Sequence, residues 1–153
     1  MKKTTIETRH FGSTEIYEEE IINFPNGILA FEQYNNFVIL SEGENSLFQW
    51  LQSLEDPGLA FLIVDPFYIK PDYVPDVLAN EIENLFGSTR LDHLTLRCII
   101  TIPPNNPDKM TVNMQGPLII STEKKLGGQF ISNNDSHHVR TPVLELVEAG
   151  EIA

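Results

Sequence analysis

Asp135, His137 and His138 stand close together in the chain, and carboxylate and imidazole groups are ligands that divalent metals favour. Adjacent histidines on an extended chain point to opposite faces, so His137 and His138 can share one ion only across a turn. His10 and His93 are distant in sequence and could join them only through folding. Solvent-exposed loop histidines are the preferred expectation. Paired carboxylates could do acid–base work if burial separated their pKa values, and the candidates are Glu18-Glu19-Glu20 and the pair Asp72 and Asp76. Consecutive glutamates repel one another and stay solvated, which argues against a catalytic role for the triplet. No serine sits in a Gly-x-Ser-x-Gly elbow. Cys98, the single cysteine, is flanked by apolar residues; it lacks the exposed, electropositive setting that activates a thiol and reads as a small buried hydrophobe. Gly127-Gly128 lacks the spacing of a phosphate-cradling loop and reads as a hairpin turn. The expectation is a protein without catalytic residues, metal or cofactor.

Binding surfaces are better supported. The stretch Pro66-Phe67-Tyr68-Ile69-Lys70-Pro71-Asp72-Tyr73-Val74-Pro75-Asp76 interleaves aromatics with three prolines. Proline keeps such a segment extended and limits strand pairing, which leaves aromatics available for contact. Tyr68, Asp72 and Tyr73 are the candidate partner contacts, with Glu18, Glu19 and Glu20 as an acidic rim. The competing expectation is that Phe67 and Tyr73 pin the segment onto the core, and Phe67 is the stronger candidate for that role. Charge ranks the partners. Lys and Arg total 10 against 22 Asp and Glu, a formal net charge of -12 and a pI near 4.6. Such a surface repels phosphates, so direct nucleic-acid binding is not expected and a basic protein partner is. Solubility alone is the plainer use of the same charge.

The elements that must position these residues are mostly strands. A chain of 153 residues fits one domain, 1–153, with 143–153 as a frayed helical or disordered tail. The clearest strand is Leu94 to Ile102, where Leu94, Leu96, Cys98, Ile100 and Ile102 share a face and only Ile99 breaks the period of two. Further strands are expected at Thr5–His10, Glu15–Tyr17, Ile21–Phe24, Phe37–Leu40, Leu47–Ser53, Ala60–Val64, Met110–Met114, Pro117–Ser121 and Gln129–Ser132, separated by Gly, Pro and Asn turns. In the strand ending at Ser53, Phe48, Trp50 and Leu54 alternate with polar residues, giving Trp50 a core or rim position. One helix is expected, capped by Asp76 and ended by Gly87, with Val77, Leu78, Ile82, Leu85 and Phe86 on one side. Together these predict a small, mostly β, barrel-like fold of short antiparallel strands with one attached helix. No apolar stretch follows Met1-Lys2-Lys3, and the longest apolar run, Leu59 to Val64, is far short of the roughly 20 residues a bilayer requires. A soluble, cytoplasmic protein is expected, with no membrane contact.

The order of several short motifs resembles the flagellar assembly factor FliW family over nearly the whole chain. The resemblance is carried by Phe11-Gly12 with Glu15-Ile16, by Glu19-Glu20-Ile21-Ile22-Asn23-Phe24-Pro25-Asn26-Gly27-Ile28, and by Phe31-Glu32. It continues through Phe48-Gln49-Trp50-Leu51-Gln52-Ser53, Asp56-Pro57-Gly58-Leu59-Ala60-Phe61, Pro71-Asp72-Tyr73 and Asn113-Met114-Gln115-Gly116-Pro117-Leu118-Ile119-Ile120. The chain departs from the family pattern at Ala30, where glycine is usual, near Gly116, where alanine is usual, and at His137-His138-Val139-Arg140-Thr141. The resemblance implies a compact β-barrel-like domain that binds flagellin in the cytoplasm and also binds the RNA-binding translational repressor CsrA, relieving repression of flagellin synthesis. The rival expectations are a β-barrel holding a small ligand among interior aromatics, and a metal-dependent hydrolase using Asp135, His137 and His138.

Overall fold

The computed structural model describes residues 2–44, 46–87 and 94–144. The chain opens with an antiparallel hairpin of β1 (Lys3–Glu7) and β2 (Ser13–Tyr17). Then come β3 (Ile22–Asn23), β4 (Asn36–Leu40), β5 (Phe48–Ser53) and β6 (Ala60–Val64), followed by the helix α1 (Ala79–Phe86). The second half holds β7 (Leu94–Thr101), β8 (Thr111–Val112), β9 (Leu118–Ser121), β10 (Leu126–Gln129) and β11 (Thr141–Pro142). Strands β7-β6-β5-β4-β3-β10-β9 are neighbours in that order, and β9 pairs back onto β7, so seven strands close into a barrel. All the barrel pairs are antiparallel except β3 with β10. The mostly β, barrel-like architecture with one helix is the one the sequence predicts.

Both faces of the barrel wall are apolar over much of its arc. Inside lie Ile22, Phe24, Phe37, Leu51, Ile63, Leu118 and Ile120, joined by the half-buried Ile99, and Ile28 closes one end. Successive residues point oppositely along a strand, so Cys98 and Ile100 face outward where Ile99 faces in. They pack with Val64, Ile69, Tyr73, Val112, Met114 and Val143. Ile119 likewise turns outward, beneath Ile82 and Phe86 of α1. The apolar face read from β7 is therefore the covered outer face, and the apparent break at Ile99 lines the interior. In β5 the expected alternation is reversed in the same way: Leu51 is in the interior and Phe48 packs outside. Trp50 is half-buried, with His10 of the hairpin connection stacked on it at 3.8 Å.

α1 begins later than the sequence predicts. Asp76 does not cap it: the residue before the helix is Leu78, in an extended conformation with no side-chain cap. The Asp76 backbone is engaged elsewhere, its N–H donating to Ser132 Oγ at 3.0 Å and its carbonyl accepting from the N–H of Asn133 at 2.8 Å. Gly87 ends the helix with φ 75°, as expected, and its N–H donates to the Glu83 carbonyl. Lys124 Nζ donates to the Phe86 carbonyl, placing a cation at the helix C-terminus. Ile82 and Phe86 are the buried residues of the helix, and each stabilises it by roughly 1.5–3 kcal/mol.

Gly127 and Gly128 are not a turn; they are the middle of β10, paired with Ile120 and Ile119. A Cβ on Gly127 would stand 2.6 Å from Phe24 Cζ, and one on Gly128 2.7 Å from Leu85 Cδ2. Two adjacent glycines thus admit an interior aromatic on one face and the helix on the other. Of the other expected strands, Ala60–Val64 is placed as read, and the one expected at Gln129–Ser132 lies at Leu126–Gln129. Met110–Met114 shrinks to Thr111–Val112, and the first strand runs Lys3–Glu7 instead of Thr5–His10. Most of the expected tail, 145–153, lies outside the described residues, as does His93.

Two substitutions test this account of the backbone. Ala30 has φ 74°, a left-handed conformation that costs a residue with a Cβ about 1–2 kcal/mol. Ala30→Gly is expected to raise the urea midpoint, with a stability gain of about 1 kcal/mol at unchanged m-value. Gly127→Ala, pressed against Phe24, is expected to lower stability by roughly 1–3 kcal/mol in the same assay.

Candidate protein-docking surface

β6 ends at Val64, and the chain then crosses the outside of the barrel on alternating anchors. Asp65 accepts the Phe67 N–H on Oδ1 at 3.0 Å, holding a 3-10 turn over Pro66–Tyr68 whose Pro66 is buried. Ile69 and Tyr73 are the next anchors, each at most 3% exposed. The Tyr73 hydroxyl donates to the Met114 carbonyl at 2.7 Å, so even its polar end is satisfied inside. Burial pushes this phenol well above its ordinary pKa. Between the anchors the chain turns its apolar side chains outward: Phe67 is 45% exposed, Tyr68 62%, Val74 71% and Leu78 51%.

Of the two aromatics expected either to meet a partner or to pin the segment, only Tyr73 is the pin. Tyr73, read as a partner contact or as a pin on the core, is a buried anchor. Phe67, read as a pin, is presented to solvent. Tyr68 is exposed as the reading requires. Asp72 is exposed but already engaged, its Oδ1 3.0 Å from Lys70 Nζ; the hydrogen bond and the charge of Lys70 hold its carboxyl below the usual range.

The segment is fastened at its far end by a buried polar cluster. Ser132 Oγ accepts from the Asp76 N–H at 3.0 Å and lies 2.7 Å from His137 Nδ1. His137 is only 4% exposed, and its ring packs on Tyr73 with centroids 4.8 Å apart. Burial first, then the charges of Lys70 and His138, lowers its pKa and keeps the ring neutral. A neutral Nδ1 can accept a hydrogen bond from the Ser132 hydroxyl while Ser132 Oγ accepts from the Asp76 N–H. His137 is thus a structural residue and not the exposed loop histidine expected, whereas His138 and Asp135 are exposed. Among the described residues no three His, Cys, Asp or Glu side chains are grouped so as to hold a metal. Cys98 is fully buried and its thiol is pushed up to about 12, chiefly by burial.

Glu18, Glu19 and Glu20 form an exposed 3-10 turn between β2 and β3, with Glu20 Oε1 accepting the Tyr17 N–H at 2.9 Å. Strand directions place this turn on the barrel. β3 runs opposite to β4, β4 to β5 and β5 to β6, so β3 starts at the end where β6 finishes. The glutamates and Tyr68 share that end of the barrel but rise from walls three strands apart. A polar cleft of about 360 Å³ opens beside Tyr68, lined by Glu44, Gln49, Asp65 and Arg97 among others. Arg97 Nε donates to Gln49 Oε1 at 3.1 Å and its Nη1 to its neighbour's carbonyl, leaving it recessed. Sequence patterning missed Val74, Leu78 and the Ser132–His137 pair, because nothing in one sequence says which side chain of a proline-rich crossover turns inward.

Comparison with known proteins follows the same fold. The FliW protein family matches residues 4–143. A flagellar assembly factor FliW from Leptospira interrogans serogroup Icterohaemorrhagiae serovar Lai is 41% identical over 140 residues, covering 92% of this chain and 93% of the relative. The relative of that name from Caldicellulosiruptor bescii is 38% identical over 151 residues, covering 99% of this chain and 97% of its own. A crystal structure of the flagellar assembly factor FliW superimposes with a TM-score of 0.82 at 32% identity, covering 92% of this chain and 96% of the other.

The neutral His137 makes acid stability a measure of this fastening. Its folded pKa lies below the ordinary histidine value of about 6.5, so below that pH the unfolded chain binds a proton that the folded chain refuses. Stability must then fall as pH drops through 6.5, by at most about 1.4 kcal/mol per pH unit for one group. Urea titrations between pH 7.5 and 5.5 are expected to show this loss, and a His137→Gln variant is expected to lose less over the same interval.

Proposed function

The chain belongs to the FliW family of flagellar assembly factors, and from that premise we propose that it acts by binding proteins: it holds flagellin in the cytoplasm and antagonises the RNA-binding translational repressor CsrA. The observation that carries the reading is identity of about two residues in five with a flagellar assembly factor, sustained over 92% of the chain. Exposed apolar side chains support it: Phe67 and Val74 line one apolar groove, and an apolar surface of that kind on a well-packed domain is a common mark of a protein interface. No catalytic step and no cofactor enter the proposal. Among the described residues no helix is long and apolar enough to cross a membrane.

The regulatory logic is mass action. Where two partners exclude one another, flagellin at about a hundred times its Kd weakens the apparent hold on the repressor about a hundredfold. Accumulated flagellin therefore frees the repressor and stops its own synthesis, and export of flagellin reverses the switch. Charge supplies a way to displace RNA without direct RNA binding. A protein of net charge -12 docked beside a basic RNA-binding surface repels phosphates, and Glu18, Glu19 and Glu20 concentrate that field at one end of the barrel.

The rival small-ligand barrel meets a physical objection. Phe24, Phe37, Leu51, Ile63, Leu118 and Ile120 are fully buried and fill the interior where such a ligand would sit.

A pull-down with purified flagellin and purified CsrA tests the proposal. Each is expected to be retained alone, with rising flagellin displacing the repressor; retention of neither would overturn the function. Tyr68→Ala is expected to weaken at least one partner by about tenfold or more. A Glu18→Gln, Glu19→Gln, Glu20→Gln triple variant is expected to keep the repressor yet release less RNA from it. Unchanged RNA release with intact repressor binding would remove the electrostatic step alone.

A further inference from the structure

An apolar groove of about 420 Å³ runs between the crossover segment, α1 and the outer face of β7 and β9, lined by Phe67, Val74, Val77, Leu94, Leu96 and Ile119 among others. We infer that this groove is a docking site for an amphipathic helix of a partner protein, a helix whose apolar side chains enter the groove and whose remaining face is basic. The inference rests on the protein-binding reading above and names the chemistry of one binding mode.

Three observations choose this occupant. First, the floor offers no backbone to a partner strand. The floor is the outer side-chain face of β7 and β9, which pair with one another over Leu94–Arg97 and Leu118–Ser121, and β9 is paired on its other edge with β10. An extended peptide laid here would bury backbone groups without partners, whereas a helix satisfies its own. Second, the rim is acidic. Asp76 stands between the lining residues Pro75 and Val77, Glu83 follows the lining residue Ile82, and both carboxylates are exposed. The nearby described lysines are engaged, Lys70 with Asp72 and Lys124 with the Phe86 carbonyl. Third, the groove is preformed. Tyr73 and Ile82 are buried beneath it, and the Asp76–Ser132–His137 cluster fixes the end of its wall. Binding therefore orders little of this chain, which keeps the entropic cost on the partner's side.

Three labelled synthetic peptides of about 18 residues test it, long enough to form a helix on binding. One carries leucines at i, i+3, i+4 and i+7 with lysines elsewhere; one has the same pattern with glutamates; one has the lysine composition in scrambled order. Each is titrated by fluorescence anisotropy against the full chain and against a Phe67→Ser, Val74→Ser double variant. Both replaced residues are substantially exposed, and retained far-UV circular dichroism and Tm check the fold; should the pair unfold, Val74→Ser alone serves. The patterned lysine peptide is expected to bind at least about tenfold more tightly than either other peptide, and the serine variant is expected to abolish that preference. Equal binding of patterned and scrambled peptides, equal binding of the lysine and glutamate forms, or an unaffected serine variant would each overturn the inference. So would groove-dependent self-association in sedimentation, which would make a second copy the occupant. Flagellin and CsrA capture is run on the same preparations. Loss of the peptide preference with capture intact rejects the groove and leaves the function; the preference without capture does the reverse.

Discussion

A strand that is apolar on both faces cannot stand in a barrel wall unless something covers it from outside. β7 and β9 are such strands: Ile99, Leu118 and Ile120 fill the interior, while Leu94, Leu96, Cys98, Ile100 and Ile119 face away from it. Much of the rest of the chain serves to cover that outer arc. Tyr73 and Ile69 cover Cys98 and Ile100, β8 and Val143 extend the cover, and α1 lies over Ile119. The cover is made of a loop and a short helix, so it leaves a seam. The exposed Phe67, Val74 and Leu78 stand along the elements that border it.

The firmness of that seam depends on polar groups as much as on apolar ones. The crossover closes short turns with its own backbone hydrogen bonds between Asp65 and Tyr73, and further polar groups fasten it to the barrel from the side. The Tyr73 hydroxyl reaches the Met114 carbonyl, and the Asp76 N–H reaches Ser132, which in turn meets His137. Among the described residues no buried side-chain polar atom lacks a partner. In a low-dielectric setting such a satisfied network is rigidifying, and removing one member leaves another unpaired at roughly 1–3 kcal/mol. An imidazole suits this place because, held neutral, it can both accept from a hydroxyl and pack against a phenol ring.

The division between what one sequence reveals and what it withholds follows from these same layers. Turn chemistry and the period of two located Ala60–Val64, the strand ending at Ser53 and the long β7, because those signals are local. Gly87 was legible as a helix stop because its left-handed backbone is a local demand. The orientation of Phe67 against Tyr73 was not, since both are aromatic residues of one proline-rich segment and the tertiary partner, the Met114 carbonyl, is distant in sequence. Gly127 and Gly128 read as a turn because close approach by Phe24 and Leu85 is a tertiary fact. Asp76 had the composition of a helix cap, yet Ser132 and Asn133, more than fifty residues on, claim its backbone. For the crossover, the sequence marks the proline-rich aromatic segment but not which of its side chains stand exposed.

A filled barrel also limits how two partners could exclude one another. Interior side chains at close-packed density have no second arrangement within easy reach, so binding at one wall does not readily remodel another. Exclusion then requires overlapping surface or a field that both partners feel. The exposed glutamates of the 3-10 turn and the crossover that begins at Asp65 stand at one end of the barrel, three strands apart. At physiological salt a charge is felt over roughly 8 Å, which is short against a protein but comparable to the distance between neighbouring side chains at an interface. A partner seated at that end would carry its own basic surface into the field of Glu18, Glu19 and Glu20, and a phosphate chain on that surface would be pushed off without any change in the barrel. On the proposed reading rigidity and acidity are complementary: the first fixes where the charge stands, and the second acts from there.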